Sequence, residues 1–476
     1  MKFITPYPRL VLAGLSGGSG KTIVSLGICR AAVDAGLKVR PFKKGPDYID
    51  AHWLSLAARA STSNLDPFLF SSERILSLFQ MRMKAYDLAV IEGNRGLFDG
   101  KDVEGSCSTA ELARVLRAPV ILIVNCTKVT RTMAAIVMGC QMFEKDLDLQ
   151  GVILNRTAGT RHENILRDSI EKYTDLKVFG SLPKLLHNPI PERHMGLISD
   201  QEFEQTERAF ADLSQFVRDN LDMRALFETA DSAHTFSCPP QQIFPQANIS
   251  TNSVTIGYVN DAALWFYYPE NLEALRAAGA RLVELSLLHQ DDWPAIDGLY
   301  LGGGFPETQA HRLAENNVIR ERVLTLSKNG LPIYAECGGF MYLCRDLIYD
   351  GVTYPMAGVF PVVTTFFSKP QGLGYVQGTV QSKNPFYAQG TCIHGHEFHY
   401  SCSGSSNKTL LLCLKLDRGQ GVCEHMDFLL SNNTLAGYTH MHALSHPEWA
   451  LNFVSAALRY KHSQQTEISP CPDIRI

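Results

Sequence analysis

The chain of 476 residues has no C-x-x-C pair, no cysteine-rich cluster and no uncharged apolar run near the roughly 18 residues of a membrane helix. Its 12 cysteines are scattered, which excludes a disulfide framework and points to reduced thiols in a cytoplasmic protein. Met1 to Arg9 lacks the apolar core of a secretion signal, so a membrane is not an expected partner. Charge of one sign is also scarce. The formal net charge of −4 offers nothing to a phosphate backbone, and nucleic acid is not an expected partner either. There is no internal repeat and no low-complexity tract. What remains is 45% hydrophobic and 19% charged, an ordinary globular balance, in a chain long enough for two or three domains.

The most informative stretch present is Ala13-Gly14-Leu15-Ser16-Gly17-Gly18-Ser19-Gly20-Lys21-Thr22. It follows the apolar run Leu10–Leu12 and opens a helical pattern through Ile23, Leu26, Gly27 and Arg30. Strand, glycine turn and helix start make a phosphate-binding loop for ATP. Glycines let backbone N–H groups converge on phosphate oxygens, Lys21 adds a point charge and Thr22 a hydroxyl for Mg²⁺. The spacing is G-x5-G-K-T, because Leu15 stands where the ordinary loop has its first glycine.

Buried parallel strands are read at Leu10–Leu12, Val39–Phe42, Leu88–Ile91, Val120–Val124 and Gly151–Leu154, with helical patterns between, such as Ser108 to Leu116. This is a doubly wound α/β layout, in which functional residues follow the strands. After Val39–Phe42, Lys43 and Lys44 can meet phosphates and Asp47 can hold Mg²⁺. Gly45-Pro46-Asp47 is equally ordinary turn chemistry. Glu92 at the tip of a buried strand reads as a metal ligand, with a capping carboxylate as the bland alternative. Asn155, after Gly151–Leu154, carries an amide suited to the adenine edge.

From Glu228 to Ser253 the pattern lapses into polar, proline-bearing sequence, the best linker in the chain. It then restarts with strand Val254–Val259, helix Pro269–Ala278 and strand Arg281–Leu285. In Ala335-Glu336-Cys337-Gly338-Gly339 a cysteine follows a short strand and precedes two glycines and a helical run. That is a nucleophile elbow. It exposes sulfur at a helix N-terminus, which is expected to lower the thiol pKa. The glycines here and at Gly302–Gly304 offer N–H donors for an oxyanion hole from Gly303, Gly304 and Gly338. A buried inert thiol is the alternative. A thiol needs a base. His440, ending a short strand, is the expected one, and His442, on the same side of an extended chain, is second. His446 opens a His-Pro-Glu that looks like the base-and-orienter signature of many glutamine amidotransferases, yet Pro447 and the apolar stretch after it read as a helix start. His394-Gly395-His396-Glu397-Phe398-His399-Tyr400-Ser401 reads as a polar strand with no assigned role.

Taken together these segments resemble the cobyrinic acid a,c-diamide synthase family over nearly the whole chain. The resemblance is carried by Ser19–Thr22, Pro41–Lys43, Gly45–Asp50, Asn64–Pro67, Gly96–Gly100, Gly302–Gly304, Ala335–Gly339 and Gly395–Ser401. It implies an N-terminal P-loop synthetase domain over residues 1–228, similar to dethiobiotin synthetase, and a linker over 229–253. A flavodoxin-like class I glutamine amidotransferase domain over 254–462 and a tail over 463–476 complete the chain. It further implies that Gly14, Gly18, Gly20, Lys21, Thr22, Lys43 and Asn155 bind ATP, and that Thr22, Asp47 and Glu92 hold Mg²⁺. Tyr48, Ile49 and Asp99 would face a tetrapyrrole, while Cys337 and His440 release ammonia from L-glutamine, with no firm third member. A homodimer is among the expected assemblies. The family usually has Val-Met at Asn94-Arg95 and Asp-Ala-Arg-Gly at Asn125–Lys128; Arg95 is therefore expected to pair a substrate carboxylate. The expected reaction is ATP- and glutamine-dependent amidation of the a and c acetates of cobyrinic acid. Rivals are the same amidation of sirohaem or nickel-sirohydrochlorin, a deviant P-loop regulatory ATPase, and a non-catalytic tetrapyrrole carrier. Ser16, where dimerising ATPases of that group carry lysine, and the elbow at Cys337 both oppose the ATPase reading.

Overall fold

A computed structural model describes residues 7–185, 189–190, 192–193, 196–197, 205–236, 241–245, 254–289, 293–404 and 410–468. The polar stretches 237–240 and 246–253 of the expected linker, and the tail from 469, lie outside the described residues. The chain divides into two compact units, Met1–Ile243 and Phe244–Ile476.

The first unit is built on strands β1 (Arg9–Gly14), β2 (Val39–Lys44), β3 (Ser63–Leu65), β4 (Leu88–Glu92), β5 (Val120–Asn125), β6 (Leu149–Thr157) and β7 (Lys177–Pro183). They form one parallel sheet in the order β3-β2-β4-β1-β5-β6-β7. Residues 10–13 and 120–124 are fully buried, as strands covered on both faces must be. Helices α1 (Lys21–Asp34), α2 (Ile49–Ala58), α3 (Ser72–Met83), α4 (Thr109–Leu116), α5 (Thr132–Phe143), α6 (Thr160–Tyr173), α7 (Thr206–Asn220) and α8 (Met223–Asp231) surround it, with a two-residue ribbon of β8 (Glu192–Arg193) and β9 (Gly196–Leu197). Ser108 caps α4, its hydroxyl accepting from Glu111 N at 3.1 Å, which places that helix start as read from sequence. Gly27 lets α1 close on α7: a Cβ there would stand 2.5 Å from the Val217 side chain. Because β4 lies between β2 and β1, the ends of these three strands bring Lys43, Glu92 and the loop after Gly14 to one edge.

The second unit opens with β10 (Val254–Val259), β11 (Leu264–Phe266), α9 (Pro269–Ala277), β12 (Ala280–Leu285), β13 (Gly298–Leu301) and β14 (Gly303–Gly304). Then follow α10 (Ala310–Glu315), α11 (Asn317–Lys328), β15 (Ile333–Glu336), α12 (Gly338–Leu343), β16 (Cys344–Tyr349), β17 (Val352–Pro355), β18 (Phe360–Phe366) and β19 (Gly372–Val380). The unit closes with β20 (Cys392–His399), β21 (Ser401–Gly404), β22 (Leu411–Arg418), β23 (Met426–Ser431), β24 (Thr434–Gly437), β25 (His440–Met441) and α13 (Glu448–Ile468). The main sheet runs β12-β10-β13-β15-β24-β23-β22-β19-β20-β25. Its parallel half, β12-β10-β13-β15-β24, has the 2-1-3-4-5 order of flavodoxin-like sheets. From β24 onward neighbours pair antiparallel, an extension in which the sequence reading resolves only the polar strand at His394–Ser401 and a short strand expected to end at His440; β24 in fact ends at Gly437, and His440 opens β25. Side chains alternate between two cores: Leu299, Leu301, Ile333 and Ala335 on one face, Tyr300 and Tyr334 with Trp449 and Phe453 of α13 on the other.

Candidate active sites

In the first unit the loop between β1 and α1 is shaped by its glycines. Gly20 has φ 90°, and a Cβ there would lie 2.2 Å from Asn155 Nδ2; a Cβ on Gly14 would lie 2.2 Å from Ser19 Oγ. Lys21 Nζ spans the loop, donating to the carbonyls of Ser16 at 2.9 Å and Arg95 at 2.8 Å. Thr22, first in line behind it, donates its hydroxyl to Glu92 Oε1 at 2.8 Å. Lys43 Nζ reaches Asp50 Oδ2 at 2.6 Å and Glu92 Oε1 at 2.8 Å, with Asp47 Oδ2 at 4.0 Å. Burial opposes the Lys43 charge, but Asp50, Glu92 and Asp47 outweigh it and hold the ammonium well above its ordinary value. Burial pushes the Glu92 carboxyl up, against the pull of Lys43.

Thr22, Lys43, Asp50 and Glu92 line a cavity of about 490 Å³ that also takes in Gly18, Gly20, Lys21, Arg95 and Asn155, whereas Gly14 and Asp47 do not line it. Asn155 is tied to the loop, donating to the Ser19 carbonyl at 2.8 Å and accepting from Arg156 N at 2.9 Å. Asp47 stands back from Thr22, its Oδ1 accepting from Asp50 N at 2.9 Å, while Asp50 Oδ2 comes within 3.4 Å of Thr22 Oγ1. Tyr48 and Ile49 start α2, Asp99 accepts from Gly96 N at 2.8 Å, and none of the three lines this cavity.

No group of three or more His, Cys, Asp or Glu suited to a metal ion occurs among the described residues. The donor set still fits Mg²⁺, which takes one or two carboxylates and completes its shell with phosphate and water. Thr22 Oγ1, Glu92 and Asp50 converge, and Glu92 Oε2 is buried without a hydrogen-bond partner.

In the second unit Cys337 joins β15 to α12 with φ 48° and ψ −102°, the strained positive-φ conformation of an elbow, its N–H donating to the Gly437 carbonyl at 2.7 Å. Its Sγ lies 3.9 Å from the Phe398 carbonyl of β20. The glycine turn packs on the elbow: Gly339 N donates to Gly302 O at 3.0 Å, and a Cβ on Gly338 would lie 3.0 Å from Gly304 N. A Cβ on Gly303 would lie 2.4 Å from His440 Cε1. Gly303, Gly304, Gly338, Cys337 and His440 are thus neighbours. The expected lowering of the thiol pKa is overturned. Burial pushes the Cys337 thiol up and the Glu307 charge adds to it, against the smaller lowering by the Gly338 N–H at the start of α12.

His440 is buried, with its ring stacked on His396 at 4.8 Å between centroids and Nδ1 3.4 Å from Glu336 Oε2. His442 faces Glu270 at 3.5 Å and packs at a tilt against the Tyr268 ring. His446 Nε2 accepts from His394 N at 3.1 Å, and α13 begins at Glu448, so the His-Pro-Glu is a helix start.

A model of the CobQ/CobB/MinD/ParA nucleotide binding domain matches residues 10–197, and a model of the CobB/CobQ-like glutamine amidotransferase domain matches 255–448. Cobyrinate a,c-diamide synthase of Magnetococcus marinus is 40% identical over 452 residues, covering 94% of this chain and 96% of the relative. Those of Listeria innocua and Methanosphaera stadtmanae are each 36% identical, covering 95% of this chain and all of the relative. The chain belongs to the cobyrinate a,c-diamide synthase family. Membership in the cobyrinate a,c-diamide synthase family, with these two domains, makes it a glutamine-dependent ligase with a nucleotide-binding unit. No helix among the described residues is long and apolar enough to cross a membrane.

Three carboxylates at these sites are not singled out by the sequence reading: Asp50, which is partly buried, and Asp427 and Glu336, which are fully buried. Asp50 lay unremarked inside the Gly45–Asp50 motif. Asp427 holds the approach to His440, accepting from Tyr438 N, Thr439 N and Thr439 Oγ1 at 3.1, 2.9 and 2.6 Å. Glu336 is fully buried one residue before Cys337, and the signal available was a charged residue ending an otherwise apolar strand.

Proposed function

We propose that the chain amidates the a and c acetate side chains of cobyrinic acid, using ATP to activate each carboxylate and glutamine as the nitrogen source. The substrate rests on the relatives' name, borne by proteins aligned over nearly the full chain. The reaction class rests on one observation: a phosphate cradle with Thr22, Lys43, Asp50 and Glu92 at its mouth occurs in one chain with a cysteine elbow.

The domain bounds proposed are 1–228 for the ATP-dependent unit, carried on to the end of α8 at Asp231, and 254–462 for the amidase unit, carried on to the end of α13 at Ile468. In the first, backbone N–H groups of Gly18 and Gly20 with Lys21 and Lys43 hold the triphosphate. Thr22, Glu92 and Asp50, with Asp47 behind, would hold Mg²⁺, which when bound neutralises phosphate charge. A substrate carboxylate oxygen attacks the γ-phosphorus, ADP leaves, and an acyl phosphate forms. Ammonia then attacks the acyl carbon and inorganic phosphate departs. In the second unit the Cys337 thiol gives its proton to His440 and its sulfur bonds the glutamine side-chain carbon. The carbon–nitrogen bond breaks as the proton passes to nitrogen, releasing ammonia, and water cleaves the thioester to glutamate. Gly303, Gly304 and Gly338 supply N–H donors to the oxyanion.

Purified chain with ATP, Mg²⁺ and glutamine, offered cobyrinic acid, sirohaem and nickel-sirohydrochlorin in parallel, tests this reading. The diamide of cobyrinic acid is the expected main product. Preferential amidation of either other macrocycle contradicts the substrate assignment, and no amidation of any contradicts the reaction.

A further inference from the structure

We infer that Glu336 is the positioning residue of the amidase site, holding His440 in the tautomer and orientation that let it take the Cys337 proton; this rests on the Cys337–His440 reading above. Side-chain alternation along β15 sends Tyr334 and Glu336 to the same face as Tyr300, while Ala335 and Cys337 share the other core. The carboxylate is held on one side by Met441 N, which donates to Oε1 at 3.2 Å, and presents Oε2 to His440 Nδ1 at 3.4 Å. Both side chains are buried, at 0% and 2% exposure, so this pairing is not diluted by solvent.

The opposite edge of the imidazole points where the chemistry is. Gly303, whose Cβ would meet His440 Cε1 and lie 3.3 Å from Nε2, belongs to the turn that packs on the Cys337 elbow. A proton fixed on Nδ1 by Glu336 leaves Nε2 as the acceptor on that edge. His396, the register partner of His440 across β20 and β25, lies 18° from parallel to it and holds the ring plane. Other carboxylates lie elsewhere: Glu448 is exposed at the start of α13, Glu270 faces His442, and Asp427 accepts from the backbone of Tyr438 and Thr439. As the thiol proton moves to Nε2 and sulfur bonds the amide carbon, the Glu336 charge stabilises the imidazolium. The proton then leaves with ammonia, and Glu336 itself exchanges none.

The test compares the full chain with Glu336→Gln, Glu336→Asp, Glu270→Gln and Cys337→Ala. It measures glutamate release against glutamine concentration and pH, and amidation driven by free ammonia. The ionisable groups facing the pair are His396 from β20, Tyr300 from β13, Tyr334 from β15, Tyr267, Tyr387, His442 and Cys337; the thiol is faced in turn by Glu307 and Asp427. E336Q is expected to lower glutaminase kcat on the order of 10²–10⁴-fold with glutamine KM little changed. Its activity should recover as pH rises, because a thiol that ionises directly needs no base, and ammonia-driven amidation should persist. E270Q should keep the pH profile of the parent. Should E336Q not fold, E336D is read instead: the charge stays but withdraws by one methylene, and kcat falls about tenfold with a parent-shaped profile. The assignment is overturned if folded E336Q, or E336D in its place, matches the parent in kcat and profile, or if E336Q is depressed equally at every pH. Glutaminase activity surviving in C337A overturns instead the reading on which the assignment rests.

Discussion

Lys43 and Glu92 are register partners on adjacent parallel strands, and their side chains meet at 2.8 Å with 2% and 0% exposure. Removing one partner strands the other charge in the sheet edge. Lys43→Met is expected to destabilise the first unit by about 3 kcal/mol near neutral pH. In that variant Glu92 takes up a proton in the folded state at a higher pH than when unfolded. A carboxyl raised in this way favours folding below its unfolded value and loses that contribution as pH rises. The deficit relative to the parent should therefore shrink toward pH of about 5 and grow toward about 8, as urea denaturation at the two pH values measures.

The placement of Asp50 beside Thr22 separates two candidate metal ligands. Asp50→Asn is expected to raise the Mg²⁺ concentration for half-maximal ammonia-driven amidation by about tenfold. Asp47→Asn, which keeps an oxygen to accept from Asp50 N, should raise it less. Equal effects would return Asp47 to the metal's shell.

The Cys337 thiol, pushed up by burial and then by Glu307, stays protonated in the free chain near neutrality. Removing the Glu307 charge lowers the cost of thiolate. Glu307→Gln is expected to speed iodoacetamide alkylation of Cys337 several-fold at a fixed pH, read by peptide mass. The sign for stability follows the same logic. A raised thiol contributes stability below its unfolded value of about 8.5 and loses it above, so the parent should lose more stability than Cys337→Ser between about pH 8 and 10.

How far the sequence could be read followed the reach of local chemistry. The phosphate loop, the strands that carry Glu92 and Asn155, and the elbow at Cys337 were legible because glycine placement and apolar runs act over a few neighbouring residues. The half-polar strands from β16 to β23 were largely missed, since one exposed face leaves no long apolar run. Glu336 and His440 are separated by more than a hundred positions, and only sheet order brings their side chains together. The thiol expectation failed because a local helix-end rule was set against burial, which sequence spacing does not report.

Arg95 lines the cavity in a left-handed backbone conformation, its carbonyl accepting from Lys21 while the side chain is exposed. Arg95→Met is expected to raise the KM for the tetrapyrrole about tenfold and to change the ranking of cobyrinic acid, sirohaem and nickel-sirohydrochlorin, with the KM for ATP little moved. An unchanged ranking in the turnover screen would remove Arg95 from substrate recognition.

The most direct measurement follows oxygen. Cobyrinic acid carrying ¹⁸O in its acetate carboxylates is turned over by the full chain with ATP, Mg²⁺ and glutamine, and the released phosphate is weighed by mass spectrometry. Activation of the acid by the phosphate loop predicts one ¹⁸O in phosphate for each amide formed. Amide formation with phosphate free of ¹⁸O would contradict it.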